Sequence, residues 1–455
     1  MNSFFKRLSL HEIIGLVVKN MSKFIINPSN SMYGNLKIPG DKSISHRSIM
    51  LGSLANGVTK ISGFLEGKDV LSTLKGFQNM GVKIERNSDN VIIYGVGLNG
   101  LKKSLVPLNF GNSGTSIRLI SGILAAQTFD SELYGDESLS KRPMGRVINP
   151  LVQMGALIES NDGKLPIKIK GGQTLKGINY DLPVASAQVK SCILLAGLYA
   201  QGETCIKESI LTRDHTERML KGLGYRLDTN KNKICLTGGA QLNAANIQVP
   251  SDISSAAFFI VAASIAPQAD ITLIGVNVNP TRTGIIDILK LMGANLSLSN
   301  ECVIGGELLA NIRIQSAQLK GIRIPKDLVP LAIDEFPAIF IAASCAKGET
   351  ILTNAKELRV KESDRIQVMA DGLSILGIEN EVFEDGIKIK GGVFSKPSST
   401  IKSHHDHRIS MSFAIASLRC HYAIEIEDVD NVQTSFPNFV ELANQIGMNI
   451  SLVSA

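Results

Sequence analysis

Apolar and polar positions along the chain follow one arrangement that recurs six times, at intervals of about 70 residues. Each copy opens with a polar or charged cluster that runs straight into a small-residue, apolar helix. The openings are Asp41-Lys42-Ser43-Ile44-Ser45-His46-Arg47, Asn112-Ser113-Gly114-Thr115-Ser116-Ile117-Arg118, Ser186-Ala187-Gln188-Val189-Lys190, Ser251-Asp252-Ile253-Ser254-Ser255, Asp334-Glu335-Phe336-Pro337 and Asp406-His407-Arg408. About 40 residues later each reaches a large apolar residue and a glycine: Met80-Gly81, Met154-Gly155, Leu223-Gly224, Met292-Gly293, Leu376-Gly377 and Ile446-Gly447. The pattern predicts helix, strand, helix, strand, strand in each copy. In the third, Ser191 to Ala200 is rich in Ala, Leu and Ile, as a packed helix requires. Gly202 to Ile206 then turns into a short strand, and the glycine of Leu223-Gly224 supplies a left-handed cap to the second helix. Closing strands follow, as at Val91 to Gly97, Pro166 to Gly172, Lys233 to Gly239 and Gly386 to Gly392.

The sixth copy is cut short, since only Met448 to Ala455 follow Gly447. Its missing strand is expected from the start of the fold, Lys23-Phe24-Ile25-Ile26-Asn27. Both chain ends then share one domain, and the other is an insertion. Crossovers near Pro39-Gly40 and Pro250-Ser251 give a first domain of residues 21–40 and 251–455 and a second of 41–250, three copies in each. Single copies cannot bury their own faces, so they must pack around one another. A solenoid of six units is the alternative, but the regular stacking consensus of solenoids is absent. Residues 1–20 are read as an N-terminal extension, disordered or not native, because Lys6-Arg7 and Leu8 to Val18 imitate a signal peptide only until His11 and Glu12 interrupt it. Met21 is then the start of the fold.

Composition narrows the class without naming it. With 455 residues, 44% hydrophobic and 19% charged, the chain is globular and long enough for two cores. No run approaches the ~18 uninterrupted apolar residues of a membrane span, and a cytoplasmic location is expected. The net charge of +6 suits an anionic small molecule or some nucleic acid and decides nothing alone. Cys192, Cys205, Cys235, Cys302, Cys345 and Cys420 are scattered with no C-x-x-C pair. They read as buried thiols in a reducing compartment, not as a disulfide frame or zinc site.

A helix start presents unpaired N–H groups and the positive end of the dipole, a ready seat for an anion. Lys42, Ser43 and Arg47 fall within about one helical turn, an ammonium, a hydroxyl and a forked guanidinium that fit carboxylate or phosphate. The G-x-x-x-x-G-K spacing of a P-loop is missing, and an ordinary capped helix with solvated charges explains the segment equally well. The glycine-rich turn at Phe110 to Arg118 would let a ligand approach the backbone closely. Lys141 and Arg142 precede the next helix, and Arg213, Arg282, Lys361 and Arg365 recur at the same phase of later copies, which argues for a shared face. Asp334 is either a functional carboxylate or a plain helix cap. His404-His405-Asp406-His407-Arg408 lacks the H-x-x-x-H spacing of a helical metal site, so structure or anion contact is preferred to metal.

Taken in order, these segments resemble the 5-enolpyruvylshikimate-3-phosphate synthase family, from about Phe24 to the C-terminus. Ser140-Lys141-Arg142-Pro143-Met144, Thr212-Arg213-Asp214-His215-Thr216-Glu217 and Asn279-Pro280-Thr281-Arg282-Thr283-Gly284 resemble its more divergent bacterial branch. The resemblance implies an α/β (α+β) fold of two similar domains, each of three βαβαββ units in an inside-out α/β barrel, with the active site in the cleft between them. It implies transfer of the enolpyruvyl group of phosphoenolpyruvate to the 5-hydroxyl of 3-phosphoshikimate, with no cofactor, no metal, no nucleic-acid or membrane partner, and a monomer.

By that resemblance 3-phosphoshikimate is held by Lys42, Ser43, Arg47, Ser186, Gln188, Arg213, Asp334 and Lys361. Phosphoenolpyruvate is held by Lys42, Asn112, Gly114, Thr115, Arg142, Gln188, Arg365 and Arg408. Asp334 is expected to serve the hydroxyl as base, Glu362 to protonate carbon, and Lys42 to polarise the leaving phosphate. Cations on two facing halves should repel until the anions arrive. Two departures matter. Gln433-Thr434-Ser435-Phe436-Pro437 lacks a lysine that many relatives carry there, and Gly114 replaces a larger residue that crowds glyphosate in part of the divergent branch, so glyphosate should compete with phosphoenolpyruvate. The sister enolpyruvyltransferase for UDP-N-acetylglucosamine is the nearest rival, but no cysteine precedes Cys192 to match its catalytic one. A nucleic-acid-binding module built on the same repeat is the other; with aromatics at 5%, no basic stripe interleaved with exposed rings supports it.

Overall fold

Among the described residues, 22–454 of the computed structural model, the strands form six small sheets, one for each copy of the sequence pattern. The extension at 1–20 and the start at Met21 lie outside the described residues. Each four-stranded sheet has the same plan. A short leading strand such as Leu108–Asn109 pairs parallel with the strand after the first helix, Ser131–Tyr134. Lys164–Ile169 and Ile158–Asn161 then add antiparallel. In the fifth copy the bridge Arg323↔Ile351 stands where the leading strand would be.

The truncated sixth copy is completed from the other end of the chain. Lys23–Asn27 pairs antiparallel with both Ile424–Glu427 and Asn449–Val453. Phe24 and Ile26 point into the core, and Lys23, Ile25 and Asn27 point outward, as the two-residue period of a strand requires.

Each copy supplies two kinds of helix. Ile253–Ile265 is buried at every position, and Phe336–Cys345 and His407–Ala416 nearly so, because they are apolar on all sides with small residues that let their axes approach. These three pack on one another in the middle of their half. The second helices carry one apolar face. Lys68–Asn79 buries Val70, Thr73, Leu74 and Phe77, spaced as one side of a helix. All six closing glycines, Gly81, Gly155, Gly224, Gly293, Gly377 and Gly447, have φ between 76° and 111°, so the turn out of the second helix is left-handed in every copy.

Buried apolar side chains gather in two clusters, one from Phe24 to Ile38 with Ile253 to Ile450, the other from Ile44 to Val249. At each crossover the leading strand stays in the half that the chain leaves. Ser31–Leu36 pairs with Gln268–Asn277, while the next helix, Lys42–Leu54, enters the other core. Asn246–Gln248 pairs with Asn56–Ser62 before the chain returns. The two crossing segments hold each other: Asp41 N donates to Pro250 O at 2.8 Å and Asp252 N to Pro39 O at 3.0 Å.

The cysteine expectation needs correction at one pair. Cys205 and Cys235 form a disulfide. They are direct partners across antiparallel strands Glu203–Lys207 and Lys233–Thr237, a contact set by sheet register and invisible in their 30-residue spacing. Cys192, Cys302, Cys345 and Cys420 are free thiols. No helix of the described residues is long and apolar enough to cross a membrane.

Candidate active site

The polar openings that begin the copies become the starts of the central helices, and those starts face the gap between the halves. Asp41, Ser113, Ser186, Asp252 and Asp406 each accept a backbone N–H of the helix they precede. The fifth opening differs. Phe336–Cys345 has no side-chain cap, and the Asp334 carboxylate turns instead to Arg213, Lys361 and Arg365. The reading of Asp334 as a plain helix cap is thereby excluded.

Arg213 comes from the second half and Asp334 from the first, so their ion pair spans the gap. Burial pushes the Asp334 carboxyl up, but Lys361, Arg213, Arg408 and Arg365 outweigh it and hold it well below the usual carboxylate range. Arg408 also donates to the Asp334 backbone carbonyl at 2.8 Å. Glu362 has the same kind of surroundings: Arg365 at 2.6 Å from its own half and Arg142 at 3.5 Å from the other. Against burial, these two guanidinium groups hold Glu362 well below the glutamate range. Arg365 is itself fixed by Asp406 at 2.8 Å. The expected repulsion between cations of facing halves left out these carboxylates, which attract across the same gap.

Lys42 is held at its ammonium by Asp69 at 2.9 Å and by Ser435 Oγ at 2.8 Å. Ser435 belongs to the segment lacking the relatives' lysine, and its neighbour Thr434 lies against Gly67 of the other half. Arg47 is only 4% exposed, and burial draws its pKa down to about 10. Its donors reach Ser43 O, Thr216 Oγ1 and Ser191 Oγ, so two of its five N–H groups remain for a ligand at the helix start.

Arg142 donates to Asn112 Oδ1, while its buried Nε has no protein partner. Asn112 is steadied in turn by Asp136. Gln188 is committed at both ends, accepting from Arg118 at 2.6 Å and donating to Thr115 at 3.0 Å. A Cβ on Gly114 would sit 3.2 Å from an Arg142 nitrogen and 3.3 Å from one of Arg118. Contacts thus join Arg142, Asn112, Gly114, Arg213, Asp334, Lys361, Glu362, Arg365 and Arg408 in one cluster across the gap. Gln188 and Thr115 reach it through Arg118, and Lys42 adds its charge to the field at Glu362. Ser43 joins Arg47 at its own helix start, and Ser186 caps its helix. Asn112 and Thr115 stand behind Arg142 and Gln188.

Sequence reasoning missed several neighbours. Arg118 follows Gly114 by four residues, and that offset, which puts both on one helix face, is the signal for it. Asp69 and Ser435 carry no signal that ties them to Lys42. In the histidine-rich segment, His404 and His405 take left-handed backbone angles, Asp406 caps the helix, and His407 is buried. Burial, then Lys42 and Arg408, hold the His407 pKa well below the ordinary histidine value, so its ring is neutral near pH 7.

Comparison with known proteins agrees over nearly the whole chain. The sequence profile of the EPSP synthase (3-phosphoshikimate 1-carboxyvinyltransferase) family matches residues 26–442. The 3-phosphoshikimate 1-carboxyvinyltransferase of Ruthia magnifica subsp. Calyptogena magnifica is 83% identical over 435 residues, 96% of this chain and 100% of that protein. That of Hydrogenovibrio crunogenus is 59% identical over 443 residues, again 96% and 100%. A solved EPSP synthase from Acinetobacter baumannii superposes with a TM-score of 0.86 at 57% identity, covering 95% of this chain and 100% of that one.

Proposed function

We infer that this chain, which belongs to the EPSP synthase family, transfers the 1-carboxyvinyl group of phosphoenolpyruvate to the 5-hydroxyl of 3-phosphoshikimate and releases phosphate. The observation that carries this is the convergence of arginines from both halves on Asp334 and Glu362. Two substrates that each bring a phosphate and a carboxylate need such a concentration of cations to lie side by side.

In this reading Lys42, Ser43, Arg47, Ser186, Gln188, Arg213, Asp334 and Lys361 hold 3-phosphoshikimate. Lys42, Gly114, Arg142, Gln188, Arg365 and Arg408 surround phosphoenolpyruvate, with Asn112 and Thr115 steadying Arg142 and Gln188. The 5-hydroxyl oxygen bonds to C2 of phosphoenolpyruvate, its proton passes to Asp334, and C3 takes a proton from Glu362. The tetrahedral adduct then returns a C3 proton to Glu362 as the C2–O bond to phosphate breaks, with Lys42 neutralising the leaving group and the proton held by Asp334 passing to the released phosphate. Asp334 is ionised, and it gains strength as a base once the substrate anions draw Lys361, Arg213 and Arg365 away from it. Glu362 must first gain a proton. An anionic substrate that draws Arg142 and Arg365 onto itself removes the charges that hold Glu362 ionised, and burial then raises its pKa. The enol phosphate is already activated, so the chemistry needs no metal or redox cofactor. The enzyme works as a monomer in the cytoplasm.

Phosphate release from phosphoenolpyruvate tests the reading. It should depend on 3-phosphoshikimate and not on UDP-N-acetylglucosamine. Release with the UDP-sugar, or with neither, would overturn it.

A further inference from the structure

Arg282 recurs at the same phase of the repeat as Arg142, Arg213 and Lys361, yet it is turned into the ground between the two crossovers and is 2% exposed. Nη1 donates to Asp41 Oδ2 at 3.2 Å and to His215 Nε2 at 3.3 Å. Nη2 donates to Ser254 Oγ at 2.6 Å and lies 3.6 Å from Asp252 and 3.9 Å from Glu335. Ser254 Oγ passes the bond on to Glu335 Oε1. His215 meets Glu307 through Nδ1 at 2.8 Å, so its ring donates there and accepts from Arg282.

We propose that Arg282 is a positioning residue, a single buried guanidinium that fixes the helix start bearing Lys42 and the turn bearing Asp334 relative to each other. The proposal rests on the roles given above to Lys42 and Asp334. Asp41 immediately precedes Lys42 and caps its helix at Ile44 N, 2.9 Å away. Asp252 accepts the Lys42 backbone N–H at 3.2 Å. Glu335 immediately follows Asp334. Nη1 therefore serves the Lys42 side through Asp41, while Nη2 serves both sides, Lys42 through Asp252 and Asp334 through Ser254 and Glu335. Asp41, Asp252 and Glu335 are all buried; Arg408 lies 3.8 Å from Glu335, and Arg282 lies within 4 Å of all three. Without its charge they repel, and relief by spreading apart moves Lys42 and Asp334 away from each other. A displacement of about 1 Å at reacting groups costs on the order of 10²-fold in rate. Lysine would restore the charge but not the fork that spans both sides.

The test uses the full chain with Arg282→Gln, Arg282→Lys and Ser254→Ala, each assayed well below its unfolding temperature. For Arg282→Gln, kcat should fall by about 100-fold, with KM for both substrates rising by a smaller factor, because Lys42 and Asp334 also hold them. Arg282→Lys should regain part of that loss. Ser254→Ala, which cuts only the relay to Glu335, should lower kcat by severalfold, and it decides the matter with Arg282→Lys if Arg282→Gln does not fold. The proposal is overturned if Arg282→Gln keeps wild-type kcat, whatever its KM values, or if both milder variants do. Failure of the wild-type chain to release phosphate with 3-phosphoshikimate would instead overturn the assigned reaction.

Discussion

Arg142 of one half lies 3.5 Å from the Glu362 carboxylate of the other, across the gap where the substrates are proposed to react. The group assigned to protonate carbon is therefore ionised in the unliganded site and must be reset by binding. The catalytic logic turns on Arg365 and this pair together, because the two cations that hold Glu362 charged are also ones that a substrate carboxylate would claim.

The pH dependence of stability follows from the same depressed carboxyls. Asp334 and Glu362 are ionised in the fold at pH values where the unfolded chain takes up protons. Their contribution is complete above the unfolded values of about 4 and is lost as pH falls through the folded ones. Thermal unfolding followed from pH 6 downward should show the wild type losing stability below about pH 4. The double variant Asp334→Asn, Glu362→Gln should lose less over that range; parallel curves would contradict the assignment. Glu362→Gln alone should lower kcat by roughly 10²–10⁴-fold, the usual worth of a general acid, with binding retained.

Gly114 bears on inhibitor response. A methyl group there would press on both Arg142 and Arg118, whose nitrogens it meets at 3.2 and 3.3 Å. Gly114→Ala should raise KM for phosphoenolpyruvate by roughly tenfold, equivalent to about 1.4 kcal/mol, and weaken glyphosate more. Steady-state inhibition at limiting phosphoenolpyruvate checks this: glyphosate should compete in the wild type, and turnover unchanged by a large excess would contradict the prediction.

The cross-strand disulfide stabilises without touching catalysis. Cys205 and Cys235 share the sheet face of Glu203 and Lys207, turned from the apolar core. With a sequence separation of 30, closing the loop is worth about 3–4 kcal/mol. Cys205→Ser with Cys235→Ser should lower Tm and leave kcat unchanged. Alkylation of the denatured chain without reductant should label Cys192, Cys302, Cys345 and Cys420 only. Six labelled cysteines would show the pair reduced.

Much of the architecture was legible because every copy announces itself twice, with a polar helix opening and a glycine that must take a left-handed angle. The strand donated by Lys23–Asn27 could be anticipated because the sixth copy visibly lacked one. What could not be read were contacts set by packing. Asp69 beside Lys42 and the Cys205–Cys235 register are fixed within one copy by how its helices and strands meet. Ser435 at Lys42 and the inward turn of Arg282 depend instead on which copies face each other, and one sequence holds no signal for either. The ionised state of Glu362 was half legible: Arg365, the strongest charge on it, lies three residues on, but Arg142, the next, stands 220 positions away.

Substrate binding to two arginine variants tests the central claim most directly. If the cleft divides its cations between two anion seats, Arg213→Ala should weaken 3-phosphoshikimate by at least about tenfold, the loss of one charged hydrogen bond, with the KM for phosphoenolpyruvate little changed. Arg142→Ala should weaken phosphoenolpyruvate, measured with 3-phosphoshikimate bound, and leave 3-phosphoshikimate at its wild-type dissociation constant. Wild-type affinity for both substrates in both variants, or losses that fall on the opposite substrate, would contradict the account.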